Sequence, residues 1–312
     1  MSAHSDLVTD WEGRVRGMLA GAARPEMAEW GMRVLGEGQE NVAVLVGQSH
    51  VVRLPKDADG AEGVAREGRL LAELSGALTL AVPRYEFTAP NPLGPGECCV
   101  YPVVPGSVLP EREWRARGML DDEKVARAVA EFIDEVHAFP ADRAREFGVE
   151  DRDMRAEFAA DLELIRAQVI PLLAAADGRE LVARWERYLG EDRNFEYSPV
   201  LMHGDVSLDH LLVTGDRITG VIDFGDVQIG DPDYDLSYLW PDAGAEFVRR
   251  VQHWRGQPMD ERLIGKLDFW AVADAAIDVL HAIEHDMPEF RDVSVKLVRA
   301  MLARFGDHAG SV

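Results

Sequence analysis

The sequence predicts an α+β chain in two parts: a small N-terminal antiparallel sheet and a larger, mainly helical C-terminal part. Three observations carry this. Between Met32 and Val103, short apolar runs of strand length alternate with Gly- and Pro-containing turns. From Asp121 onward, apolar residues recur at helical spacing. Within that helical part, Val200–Tyr238 holds two short apolar runs, Val200–Met202 and Val221–Ile222, each leading directly into an acidic cluster. Pro102, Pro105 and Gly106 punctuate the crossing segment, which places the domain boundary between residues 1–103 and 104–312.

The elements follow in order. Leu7, Trp11, Val15 and Leu19 give one face to a helix over Asp6–Ala20. Met32–Leu35 and Val42–Val46 read as strands, joined by a loop from Gly36 to Asn41 that carries Gly36 and Gly38. Such a loop can be an ordinary hairpin turn, or a place where the backbone approaches a ligand and its N–H groups cradle phosphates. Val51–Leu54 is a third strand bearing Arg53, with Lys56 just beyond Pro55. Ala61–Ser75 is a helix with Val64, Leu70, Leu71 and Leu74 on one face and Glu67 at its middle. Val82–Phe87 and Cys98–Val103 complete the strands, with Ala89–Gly96 as the turn. Helices are then expected around Val125–His137, Met154–Leu173, Arg179–Leu189, Leu236–Trp240, Gly244–Trp254 and Leu263–Ile283.

Composition narrows the function. The 312 residues carry 33 basic and 56 acidic side chains, a net charge of −23. A nucleic-acid partner is not expected, because phosphate contacts need a Lys/Arg surface. An acidic surface steers cationic ligands, or serves solubility. The two cysteines, Cys98 and Cys99, are adjacent, which suits reduced thiols in a cytoplasmic protein. No signal peptide and no membrane-spanning run is read, and a monomer is expected.

The chemistry concentrates in two clusters. The first is His203-Gly204-Asp205, followed five positions on by His210. The second is Asp223-Phe224-Gly225-Asp226. An apolar run that ends in Asp is how a buried strand delivers a carboxylate to an open strand end. Asp205, His210 and Asp223, brought close, would repel unless a cation sat among them. Mg²⁺ suits one or two carboxylates plus substrate phosphates. The pattern has the spacing of the kinase signature H-R-D, four residues, Asn, then D-F-G, with His210 in place of Asn.

On these residues the chain resembles the antibiotic kinases, the aminoglycoside and macrolide phosphotransferases, and most of all the aminoglycoside 2''-phosphotransferase branch. The resemblance implies a bilobal protein-kinase-like fold. It also implies transfer of a phosphoryl group from ATP or GTP to a hydroxyl of a small, cationic acceptor, with Mg²⁺ as cofactor. It assigns Asp205 as catalytic residue, with His210 and Asp223 as metal ligands. Gly36, Gly38 and Asn41 would cover the phosphates. Arg53 stands where a kinase has Lys, with Glu67 as its partner; Lys56 would take that place if the strand register differed. The hinge backbone near Cys99 to Val103, with Cys99 and Tyr101 as its named residues, would meet the purine. Asp231 and Asp235 resemble a D-P-x-x-D segment that buttresses the catalytic loop.

For the acceptor, Trp270, Asp274, Asp278, His281 and His285 recur near helical spacing, and Asp242 follows Trp240. Aromatic and acidic groups on one stripe suit a polycationic sugar. The same spacing also describes a solvated face with Trp270 in the core. From Asp205 to Asp242 there are nine aspartates and one basic residue, Arg217, a crowding that calls for cations or hydrogen bonds. A macrolide or a metabolite as acceptor, a metal hydrolase built on the two histidines, and a kinase-like module that binds without turnover stand as alternatives.

Overall fold

The computed structural model describes residues 10–38 and 40–305. Helix α1 runs Trp11–Ala20 and buries Val15 and Leu19. The expected start at Asp6, with Leu7, lies outside the described residues. Strands β1 (Met32–Glu37), β2 (Asn41–Val46) and β3 (His50–Pro55) follow, then helix α2 (Ala58–Leu74), β4 (Phe87–Pro90) and β5 (Glu97–Pro102). They form one antiparallel sheet in the order β1-β2-β3-β5-β4.

Two boundaries differ from expectation. Gly36 sits inside β1 opposite Ala43, so the connection to β2 is only residues 38–40. The strand expected over Val82–Phe87 begins at Phe87. Pro83 has no N–H to give a ladder, and the pairing starts four residues later.

Alternation along the strands gives the sheet two chemically different faces. Val42, Val44, Val46, Val52, Leu54, Cys98 and Val100 pack with Val15 and Leu19 of α1. Each such valine stabilises by roughly 1.5–3 kcal/mol on burial. The other face sets Val51, Cys99 and Tyr101 against Val64 of α2. Arg53, between Val52 and Leu54, projects to this second face. Gly68 lets α2 approach closely: a Cβ there would stand 2.7 Å from the ring of Tyr85.

Helices α3 (Glu111–Ala116), α4 (Glu123–His137), α5 (Ala141–Glu146), α6 (Met154–Leu164) and α7 (Ala175–Gly190) follow. The helix expected to reach Leu173 changes to a π turn at Ile165–Val169 and a 3₁₀ turn at Ile170–Leu172. Pro171 lacks the N–H and clashes with the preceding turn, which ends the α-helix. Strand β6 (Val200–Met202) pairs with β9 (Gln228–Gly230), and between them β7 (Leu211–Thr214) and β8 (Arg217–Val221) form a hairpin. Helices α8 (Leu239–Ala243), α9 (Ala245–Arg255), α10 (Glu261–Glu284) and α11 (Pro288–Arg304) complete the chain. Helix α11 has no counterpart among the expected elements. It buries only Ser294, Val298 and Leu302, a stripe one residue wide. None of the described helices is long and apolar enough to cross a membrane.

The chain divides into two compact units, neither continuous in sequence. The first extends to Leu109 and adds Asp142–Val149 and Asp209–Val227. The second comprises Pro110–Ala141, Glu150–Leu208 and the chain from Gln228 on.

In the second unit the acidic crowding has a specific answer. Lys266 of α10 is fully buried, with Nζ 2.5 Å from Asp231 and 2.6 Å from Asp233. Asp231 is itself fully buried, and burial pushes its carboxyl upward against the pull of Lys266. Removing one partner of a buried pair leaves an uncompensated charge, at a cost of about 3–5 kcal/mol. Lys266→Met should therefore lower the unfolding free energy by that amount, read by circular dichroism as a lower urea midpoint at unchanged m-value.

Candidate active site

In the first unit, β3 delivers Arg53 to the face shared with Cys99 and Tyr101. Its guanidinium lies 2.5 Å from Glu67 of α2 and 3.4 Å from Asp223. Glu67 is 3 % exposed, while the Asp223 side chain is 47 % exposed. Burial alone would lower the pKa of Arg53; Glu67, Tyr85 and Asp223 more than offset this and hold the guanidinium charged. Lys56 pairs with Glu37 of β1 at 2.8 Å. The register Arg53↔Cys99 thus makes Arg53, not Lys56, the partner of Glu67.

Asp223 lies two residues past the end of β8. Its φ of 66° is left-handed, a conformation Asp tolerates better than most residues. His210 precedes β7, and its ring nitrogen lies 3.6 Å from the Asp223 carboxylate. The main chain fixes this approach, because the carbonyl of His210 accepts from the N–H of Ile222 at 3.1 Å. The structure therefore brings together Arg53, Glu67, His210 and Asp223.

These residues fit a Mg²⁺ held mainly through phosphates. One half-exposed carboxylate and one imidazole converge. Among the described residues no group of three or more His, Cys, Asp or Glu forms a cage. That is the few-ligand arrangement Mg²⁺ accepts when substrate oxygens and waters fill the rest of its shell.

The phosphate-loop residues stand near one another. Gly36 has open space where a Cβ would be, and at Gly38 the nearest atom is 3.8 Å away. The N–H of Gly38 donates to the carbonyl of Asn41 at 2.9 Å. The side-chain oxygen of Asn41 is buried and has no hydrogen-bond partner among the described residues.

Cys99 and Tyr101 need correction. They pair with Arg53 and Val51 across β3. The N–H of Val103 donates to Ser49 on that same side, while the carbonyl of Val100 accepts from Glu86 on the other. By antiparallel alternation, the main-chain groups of Cys99 and Tyr101 are engaged by β3. Pro102 shares the direction of Val100, past the end of β4, and is the exposed position. The Cys99 and Tyr101 side chains instead line the buried face, where the Tyr101 ring stacks on Tyr85 at 5.8 Å. Burial pushes the Cys98 thiol up to about 11 and that of Cys99 up to about 12, so both are inert free thiols.

In the second unit, β6 carries the chain into His203-Gly204-Asp205. Gly204 has φ 85°, a turn that a side chain would strain. Asp235, fully buried, accepts from the N–H of Gly204 at 2.8 Å and of His203 at 3.2 Å. Its carboxylate also meets Nε2 of His137 at 2.9 Å. Burial would raise its pKa, but the His137 bond and the backbone donors bring it below the usual range. Asp205 remains half-buried at the end of this held turn.

The acceptor residues separate into two groups. Trp270 is fully buried, with its indole N–H donating to the Tyr188 hydroxyl at 3.1 Å and its ring edge-on to Tyr234 at 5.2 Å. It is a core residue and not a stacking surface. Asp274 and Asp278, one turn apart on α10, are half-buried. Burial, reinforced by the charges of Asp278 and Asp205, pushes the Asp274 carboxyl up to about 7, against Arg152 and a hydrogen bond from Tyr234. Burial also raises Asp278. The carbonyl of Asp242 accepts from Arg115 at 2.7 Å. Sequence reasoning missed Arg152 and Tyr234, which adjoin Asp274. The Arg152 guanidinium lies 4.4 Å over the Tyr234 ring and 2.7 Å from Glu157. Tyr234 sits inside the Asp-Pro-Asp-Tyr-Asp run, which was a usable signal; Arg152 left none.

Known proteins share this fold. The structure is similar to that of APH(2'')-IIia solved with GDP and kanamycin, with a TM-score of 0.84, 30 % identity, and coverage of 93 % of this chain and 98 % of that one. It also resembles the apoenzyme of a macrolide 2'-phosphotransferase, MphH from Brachybacterium faecium, with a TM-score of 0.66, 26 % identity, and coverage of 86 % and 91 %. In sequence it is 24 % identical over 201 residues to the uncharacterized protein YcbJ of Bacillus subtilis (strain 168), covering 61 % of this chain and 62 % of that protein's length. The model of the phosphotransferase enzyme family matches residues 31–270. With its antiparallel sheet, its held His-Gly-Asp turn and that match across most of its length, the chain belongs to the phosphotransferase enzyme family.

Proposed function

We propose that this protein transfers the γ-phosphoryl group of a purine nucleoside triphosphate to a hydroxyl of an aminoglycoside. The observation that carries the reading is the linked set Glu67–Arg53–Asp223–His210, a buried, anchored guanidinium beside an exposed carboxylate–imidazole pair. Such a set grips phosphate oxygens with Arg53 while Asp223 and His210 are the residues that would hold Mg²⁺. That ion would supply positive charge against the negative charge that develops on the phosphates. Gly38 in the β1–β2 connection, with Gly36 and Asn41 on the strands that flank it, would cover the phosphates, and the exposed backbone from Pro102 on would meet the purine edge.

Asp205 accepts or orients the proton of the attacking hydroxyl. A carboxylate is sufficient, because a loose transition state asks more for alignment than for basicity. The cationic acceptor follows from Asp274 and Asp278, whose carboxyls have been moved out of water without a full cationic partner. Amines supply the missing charge, and two carboxyls one turn apart suit an aminoglycoside with several amines better than a macrolide with one. The similarity to a protein solved with GDP and kanamycin supports the same choice. The net charge of −23 adds long-range attraction for such a ligand. Action in the cytoplasm as a monomer belongs to this proposal.

The deciding experiment offers aminoglycosides, macrolides and small polyols with ATP and with GTP, and detects phosphorylated product by mass. Product on an aminoglycoside is expected; product only on macrolides, or on none, overturns the reading.

Asp205→Ala should lower kcat by about 10²–10⁴-fold while leaving the nucleotide Kd within a few-fold, by calorimetry. Arg53→Ala should weaken triphosphate binding by roughly tenfold or more, and Lys56→Ala by much less, since the surface pair of Lys56 is worth only about 0–1 kcal/mol. A carboxyl raised to about 7 is neutral below that pH and ionised above it. The acceptor KM should therefore fall as pH rises from 6 to 8, and Asp274→Asn should flatten that dependence.

A further inference from the structure

The held turn before Asp205 rests on Asp235, and Asp235 rests on His137. Deepening the phosphotransfer reading, on which it rests, we infer that Arg255 is a positioning residue for the catalytic loop: it fixes the tautomer of His137 so that His137 donates to Asp235.

The geometry allows one assignment of donors. Nη2 of Arg255 lies 3.1 Å from Nδ1 of His137. A guanidinium only donates, so Nδ1 must be the bare, accepting nitrogen. The proton of a neutral imidazole then sits on Nε2, which faces Asp235 at 2.9 Å. Asp235 in turn collects the N–H groups of His203 and Gly204. The N–H of Asp205 itself donates to Nδ1 of His203 at 3.3 Å, which closes the turn. The opposite tautomer would point an N–H at the guanidinium and a lone pair at the carboxylate, breaking two bonds at once.

Arg255 is built for this task. Its side chain is 5 % exposed. Nε donates to Asp134 at 2.8 Å, and Nη1 to Gln252 at 3.0 Å. Asp134 and His137 lie one turn apart near the end of α4, and Arg255 is the last residue of α9. The guanidinium thus spans two helices and turns Nη2 toward His137. The side chains of Arg255, His137 and Asp235 are all nearly or fully buried, so a loss there acts on alignment of Asp205 and not on binding.

The test begins with ¹⁵N-histidine NMR on the wild-type protein, which reads tautomers directly and needs no turnover. His137 is expected as Nε2–H with an unprotonated, hydrogen-bonded Nδ1. A Nδ1–H tautomer overturns the inference. Arg255→Met keeps the bulk of the side chain and removes the donor. It should shift the His137 tautomer signals and lower kcat about five- to tenfold, the worth of one hydrogen bond, with both KM values within twofold of wild type. His137→Gln carries its own amide donor toward Asp235, so it should lose less kcat than His137→Leu. In the Gln background, Arg255→Met should add no further loss. Unchanged tautomer signals in Arg255→Met, or losses that simply multiply in the double variant, overturn the role of Arg255. If Arg255→Met does not fold, equal losses for Gln and Leu at position 137 do the same. A wild type with the expected tautomer but no transfer to any acceptor refutes the phosphotransfer reading and leaves the tautomer lock standing.

Discussion

The ion pair between Arg53 and Glu67 is the constraint on which the first unit's chemistry depends. Both side chains have left water, Glu67 almost entirely. Desolvating two charges is costly, and their attraction recovers the cost only when the geometry is close. At 2.5 Å it is close. The pair requires β3 to place Arg53 on the α2 face and α2 to lie near enough for Glu67 to reach. Gly68 beside Glu67 supplies that nearness by admitting the Tyr85 ring. A guanidinium so anchored has one side committed and the other turned toward Asp223. Stability is not the purpose of such a pair; it fixes the direction of a charge.

The second unit solves a matching problem with hydrogen bonds. There Asp205 stands at the end of a sharp turn made at Gly204. Asp235 holds the turn by its main-chain amides, so Asp205 is positioned through the backbone that precedes it. The aspartates of this stretch consequently divide by task. Asp231 and Asp233 pair with Lys266, and Asp235 ties down the loop. Asp274 on the facing helix keeps a raised proton affinity suited to meeting a cation.

Much of this was legible in the sequence. Apolar runs that end in His-Gly-Asp or Asp-Phe-Gly report strand ends, and strand ends leave local signatures of one to three residues. Arg53 and Glu67 were legible too, because strand alternation and helix position fix their faces. What escaped was decided by contacts distant in sequence. Whether Cys99 or Pro102 opens toward a ligand turns on a shift of one residue in the pairing with β4. Trp270 and Lys266 lie on α10, a helix apolar on most sides, so periodicity could not select its solvent stripe. The partner of Lys266 is over thirty residues away in sequence. Helix α11 offers too narrow an apolar stripe to stand out among its charges.

The first unit's discontinuity has a consequence for how the chain comes into being. The hairpin β7–β8 bridges Ala81 through Gly220 and Ser107 through Val213. It also brings His210 and Asp223 to a sheet whose last strand ends at Pro102. During synthesis the N-terminal sheet therefore emerges from the ribosome long before its final segment, and more than a hundred residues must follow before Asp223 exists to meet Arg53. Until then the charged end of β3 has only Glu67 for company. The nascent sheet can be formed, yet His210 and Asp223 join it only when most of the polypeptide has been made.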